Sequence, residues 1–149
     1  MQNLTIKPCT IEHQECYGAI YAAAFSGEPW NDTWSAEDAA IHVGELLENK
    51  QHYGLECVVD DEVVGFVIGT SMLFHYGRTF EINDLAVDPR FQGHGIAKQL
   101  MDRILDDLKK QHIVAVHLIT AAEGWLKDFY GQYGFQKEQR VMLMGMELI

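Results

Sequence analysis

The residues best suited to hold a ligand lie in one passage, Leu85-Ala86-Val87-Asp88-Pro89-Arg90-Phe91-Gln92-Gly93-His94-Gly95-Ile96-Ala97, where a β-like run gives way to helical spacing. Glycines at a helix start let backbone N–H groups approach a ligand closely, and the helix dipole adds partial positive charge there. Such a loop binds phosphate through amides, so an acidic chain can use it. Spacing narrows the ligand: a dinucleotide fingerprint needs Gly-x-Gly-x-x-Gly/Ala, but Lys98 stands three residues after Gly95, and the Gly-Lys-Ser/Thr of a Walker loop is absent. A second stretch, 25–34, sets Trp30 and Trp34 beside Glu28 and Asp32. That combination either holds an organic cation by cation–π and ion-pair contacts or fastens an irregular loop to the core while the acids face water. Cys9, Cys16 and Cys57, spaced by seven and 41 residues, match no zinc pattern, and no metal is expected.

The elements that must position these residues follow from periodicity. Leu4, Ile6 and the stop at Pro8 give a first strand over about 3–8. Thr10 caps a helical stretch carrying Ile11, Cys16, Ile20, Ala23 and Ala24, which ends around 25–27. Ser35 begins a capping box ahead of Ala39, Val43, Leu46 and Leu47. Runs 55–59 and 63–73 form a hairpin through Asp60-Asp61-Glu62. A strand over about 78–88 places apolar residues at Phe80 and Ile82, then at Leu85 and Val87. Either a β-bulge near Asn83-Asp84 slips the pattern by one residue, or the strand is buried on both faces. A helix with Ile96, Leu100, Met101, Ile104, Leu105 and Leu108 follows, then a strand over 114–120, a short helix over 124–132 and two closing strands, GFQKEQ and VMLMGMELI.

Composition bounds the function. The 149 residues carry 11 Lys+Arg against 22 Asp+Glu, a net charge of −11. This argues against sequence-independent nucleic-acid binding and favours cationic partners. A chain of this size buries about 69% of its unfolded surface, enough for one domain over 1–149 without staples. The opening MQNLTIKPCT has no apolar or cationic leader and no window approaches a membrane span, so a cytoplasmic protein is expected, its cysteines being small apolar fillers.

The sequence Arg90-x-x-Gly93-x-Gly95-Ile96-Ala97, preceded by Leu85-Ala86-Val87 and followed by Tyr130-Gly131-Gln132-Tyr133-Gly134-Phe135, resembles the GNAT superfamily of N-acetyltransferases over nearly the whole chain. The resemblance implies an α/β fold with a mixed, mostly antiparallel sheet flanked by helices and a bulged, splayed fourth strand. It implies acetyl-CoA as co-substrate, its pantetheine arm on the amides of Leu85, Ala86 and Val87 and its pyrophosphate on amides from Gln92 through Gly93, His94, Gly95, Ile96 and Ala97 to Lys98. Arg90 and Lys98 would add charge, and His94 faces either a phosphate or solvent. By the same resemblance Glu81 is the base, directly or through water, with Asp84 its competitor, and Tyr130 is the acid for the departing thiolate. Cys9 and Cys57 lie away from these motifs, which points to direct attack by the amine without a covalent intermediate.

The family places the acceptor between the first two helices, their connecting loop and the closing strands. Trp30, Trp34 and Asp84 are therefore expected at a site for a small cationic amine, although a protein or peptide amine fits the same motifs. One departure stands out. Glu123 occupies the position, seven before the tyrosine, where many relatives carry a cofactor-holding Asn. It motivates the alternative of a non-catalytic acyl-CoA-binding module or sensor. The apolar closing strands are also compatible with edge-to-edge pairing in a homodimer.

Overall fold

The computed structural model describes residues 3–149, which divide into two compact units, the first ending at Ile119 and the second spanning Thr120–Ile149. The first is built on a five-stranded sheet of β1 (Leu4–Pro8), β2 (His52–Val59), β3 (Glu62–Phe74), β4 (Gly77–Val87) and β5 (Ala115–Leu118), ordered as in the chain. The first four strands are antiparallel and β5 joins β4 in parallel, so the sheet is mixed.

Helix α1 (Gln14–Phe25) follows a 3-10 turn over Ile11–His13, whose Thr10 hydroxyl accepts from the Glu12 amide. Helix α2 (Ala36–Leu47) starts at Ser35, which accepts from the Asp38 amide at 3.0 Å. The capping signals read in the sequence therefore lie at both starts, offset at α1 by the extra turn. Asp60 and Asp61 both have positive φ, 48° and 67°, the conformation that a two-residue hairpin between twisted strands requires.

Tyr17, Ile20 and Tyr21 of α1 and Ala39, Val43 and Leu47 of α2 pack with Phe66, Ile68 and Ala86, forming one layer of the core. Helix α3 (Ile96–Lys110) buries Ile96, Leu100, Met101, Ile104 and Leu108 and packs on β2, β3 and β4. Ile96 meets Gly65, whose side of the sheet alternates with that of Phe66, so α3 covers the face opposite α1 and α2.

The second unit holds α4 (Leu126–Gly131). Its end is a Schellman cap: the Phe135 amide donates to the Tyr130 carbonyl at 3.4 Å and the Gly134 amide to that of Gly131 at 3.0 Å. Gly134 has φ 95°, and the Phe135 ring returns to an edge contact with Tyr130 at 5.9 Å. The Tyr-x-x-x-Gly-Phe spacing is thus a helix stop with its usual hydrophobic contact. The two closing strands expected after it are not formed: residues 136–149 join no ladder, and the side chains from Val141 onward are exposed. A β-rich run becomes a strand only where a neighbour meets its amides, and propensity alone does not supply one.

Candidate active site

The slip in β4 is a bulge. Asp84 pairs with Ile68 and Ile82 with Gly69, which leaves Asn83 without an opposite residue. The consequence concerns the carboxylates. Positions 81 and 84 differ by an odd number and would face opposite sides of a regular strand. The extra residue puts both on the face of Ile68 and Thr70, since Glu81 pairs with Thr70. Glu81 is exposed and accepts from Asn83 Nδ2 at 3.0 Å, while Thr70 donates to Asn83 Oδ1 at 3.3 Å. Asp84 is buried at 7% exposure, and burial pushes its pKa up while His42 pulls it back.

The bulge also ends a ladder. β5 pairs with β4 from Thr79 to Ile82 and no further, so beyond that point the β5-side edge of β4, through Leu85, Ala86 and Val87, faces no strand of this unit among the described residues. On its other side the same segment pairs with Val67, Phe66 and Gly65.

Next comes the glycine loop. Gly93 and Gly95 have φ of 80° and 79°, left-handed values that any other residue adopts only with strain. A Cβ at either would meet nothing within 4 Å, so the space above the loop is open. Among the described residues, the amides of Gly93, His94, Gly95, Ile96 and Ala97 donate to no backbone acceptor. Gly95 caps α3 without a side-chain bond, so the positive end of the helix is presented bare. That is a geometry for an anion.

The loop's side chains are committed more locally than the sequence suggested. Arg90 bonds Asp88 at 2.8 Å and also Glu62, which pushes the guanidinium's pKa up and holds the Asp88 carboxyl below the usual carboxylate range. It clamps the loop entry. Gln92 Nε2 donates to the Val87 carbonyl at 3.2 Å, His94 Nδ1 lies 3.0 Å from the Gln92 carbonyl, and Lys98 pairs with Asp102 at 2.7 Å. Backbone donors dominate the loop's open side.

Across the bulge, α1 and the loop after it form an aromatic wall. Phe25 stacks on Tyr21 at 4.4 Å, Trp30 lies 5.9 Å from Phe25, and Trp34 meets Tyr21 edge-on at 5.0 Å. The loop is closed by the Asn31 and Asp32 amides donating to Gly27 and Phe25 at 2.8 Å each. Both tryptophans therefore fasten the loop, yet Trp30 keeps 37% of its surface exposed. His42 completes the wall with Nε2 2.8 Å from Asp84 Oδ2. The sequence does not mark His42 as a site residue. Its one available signal was a histidine beside the buried stripe of α2, adjacent to Val43.

Tyr130 lies in the second unit, where its ring contacts Phe129 at 5.1 Å and Phe135 at 5.9 Å. Among the described residues no cluster of His, Cys, Asp and Glu is placed to hold a metal, and no helix is long and apolar enough to cross a membrane.

Comparison with known proteins adds independent findings. The model of the acetyltransferase (GNAT) family matches residues 12–135. Mycothiol acetyltransferase of Beutenbergia cavernae is 30% identical over 115 residues, 76% of this chain and 38% of that protein. The ribosomal protein bS18-alanine N-acetyltransferase of Salmonella typhimurium is 26% identical over 91 residues, 60% of this chain and 59% of that one. The chain thus matches less than two thirds of the length of either curated relative. The crystal structure of a possible acetyltransferase from Clostridium difficile shares the fold, with a TM-score of 0.83 at 17% identity over 98% of this chain and 99% of that one.

Proposed function

The chain belongs to the acetyltransferase (GNAT) family, and on that premise we propose that it transfers the acetyl group of acetyl-CoA to the amine of a small cationic molecule. The observation that carries this reading is the bare amide set at Gly93 to Ala97, next to the open edge of β4. The loop suits a pyrophosphate, and the edge amides of Leu85, Ala86 and Val87 suit the amide-bearing pantetheine arm. Bound there, acetyl-CoA supplies an activated thioester. This reading takes residues 1–149 as one catalytic domain, because the family match runs through both units.

The protein's part is to position and to move protons. An alkylamine with a reference pKa of about 10.4 is protonated near neutral pH and must lose a proton before it can attack. The base is drawn from the groups around the β4 bulge, Glu81 first among them by family resemblance. Attack forms the C–N bond and breaks the C–S bond, and Tyr130 is assigned, again by resemblance, to protonate the thiolate. Trp30 and Trp34 with Asp84 form the acceptor side: ring faces and a buried carboxylate suit an organic cation. A second reading, an N-terminal or side-chain amine of a protein, is favoured by the relative named for a ribosomal protein. The free thiols Cys9, Cys16 and Cys57 suit a reducing compartment such as the cytoplasm.

The test is coenzyme A release with spermidine, kanamycin and an alanyl peptide as acceptors. Turnover is expected with at least one polyamine-like acceptor, and Tyr130→Phe is expected to slow it about 100-fold, within the usual worth of a general acid. Wild-type rate in Tyr130→Phe removes that residue from the acid role. Tight acetyl-CoA binding without transfer to any amine would favour a sensor.

A further inference from the structure

The acceptor side of the bulge contains a pair of titratable groups that family membership does not assign. His42 Nε2 lies 2.8 Å from Asp84 Oδ2. The aspartate side chain is 6% exposed and the imidazole 36%, so the pair runs from the buried floor of the site to its surface. The ring stands 4.9 Å from Tyr21 and 5.5 Å from Trp34, inside the aromatic wall. A carboxylate on Nε2 keeps the proton there and leaves the lone pair on Nδ1, directed away from Asp84. Among the described residues, no donor hydrogen-bonds Nδ1.

Resting on the acetyl-transfer reading, we propose that His42 Nδ1, in place of Glu81, takes the proton of the acceptor amine, with Asp84 as the positioning residue that fixes its tautomer. The ammonium gives one proton to Nδ1, and the freed nitrogen pair attacks the thioester carbonyl. The C–N bond forms, the C–S bond breaks and its electron pair leaves with sulfur. The thiolate takes one proton, and the surplus proton on the new amide nitrogen balances it. His42 returns its own proton to water across its exposed edge.

The groups around His42 support a basic imidazole. Asp84 on β4 faces it directly, Tyr21 comes from α1, Glu45 lies on α2 itself and Asp32 lies beside Tyr21. None of these is a cation. The hydrogen bond to Asp84 holds the imidazole's pKa above its ordinary value, against the opposing effect of burial. Acid–base catalysis needs neutral His42, so activity should rise with pH through a midpoint above about 6.5.

The experiment is the pH profile of kcat/KM for coenzyme A release, with spermidine, kanamycin and an alanyl peptide, in wild type, His42→Gln, Asp84→Asn and Glu81→Gln. Acetyl-CoA binding serves as the folding control for each. His42→Gln is expected to lose on the order of 100-fold and the acidic limb with it. Asp84→Asn keeps the limb but moves its midpoint down to about 6.5 or below, because the hydrogen-bonding carboxylate that raised it is gone. A wild-type rate and limb in His42→Gln overturns the proposal, as does loss of the limb in Glu81→Gln alone. Should His42→Gln fail the folding control, Asp84→Asn decides, and an unmoved midpoint there overturns the proposal. A wild-type enzyme that binds acetyl-CoA yet releases no coenzyme A overturns the acetyl-transfer reading itself, an outcome distinct from a wild type that turns over without needing His42.

Discussion

At the residue scale, the buried polar groups separate site from scaffold. Glu56 is fully buried, accepts from the Tyr17 hydroxyl and lies 2.8 Å from His13 Nδ1, with Lys7 4.0 Å from its other oxygen. This network ties β2 to α1. Tyr17→Phe withdraws a donor from a buried carboxylate and is expected to cost about 1–3 kcal/mol in denaturant unfolding, with acetyl-CoA binding retained below the midpoint. Cys9, beside Tyr17, is pushed up to about 12 by burial, whereas Cys16 is exposed. Iodoacetamide at neutral pH should therefore modify Cys16 first and leave Cys9 intact in the folded protein, which peptide mapping reads directly. The His42 and Asp84 pair carries its own stability signature. A raised histidine pKa stabilises fully below the unfolded value of about 6.5, and that contribution fades as pH rises through the folded one. The two β4 carboxylates were legible in the sequence as candidates, but their common face was not, because it depends on which residue the register skips. Tyr21 and His42 gave still less warning, since an aromatic or a histidine on a buried helix face is ordinary core composition.

At the element scale, most of the first unit was legible because its signals are local. Thr10 and Ser35 cap where their side chains can reach, Asp60-Asp61 turns a hairpin, and the apolar shift from Phe80 and Ile82 to Leu85 and Val87 marks the bulge. What the sequence could not supply was pairing, and the β-like run 141–149 has the composition of a strand without a ladder. The glycine loop joins both kinds of information: its conformation is written in Gly93 and Gly95, and its use in the amides they turn outward. Gly95→Ala is expected to cost about 1–2 kcal/mol for the left-handed conformation and to weaken acetyl-CoA binding at least several-fold by calorimetry. A variant that melts lower yet binds with wild-type affinity would separate the loop from the pyrophosphate. The Arg90 clamp should loosen in acid: Asp88 titrates below the usual range, so the stability it lends is complete above about 3.9 and lost as pH falls through the lower folded value.

At the scale of the whole molecule, the net charge of −11 and the amide loop assign different jobs to electrostatics. On the proposed reading, long-range attraction would act on a cationic acceptor, screened within about 8 Å at physiological ionic strength, while a pyrophosphate would meet short-range donors at a helix start. KM for spermidine should therefore rise with added salt, whereas KM for acetyl-CoA should move less. Equal salt sensitivity of the two would remove the reason for preferring a cationic acceptor. The central claim, acetyl transfer from acetyl-CoA to an amine by direct attack, is tested most directly by a single measurement. Purified protein, acetyl-CoA and each amine are mixed, and coenzyme A, acetylated amine and intact protein mass are quantified together. The expected result is one acetylated amine per coenzyme A released, with the protein mass unchanged throughout. Acetyl-CoA binding without any acetylated amine, or an acetyl group lodged on the protein during turnover, would contradict it.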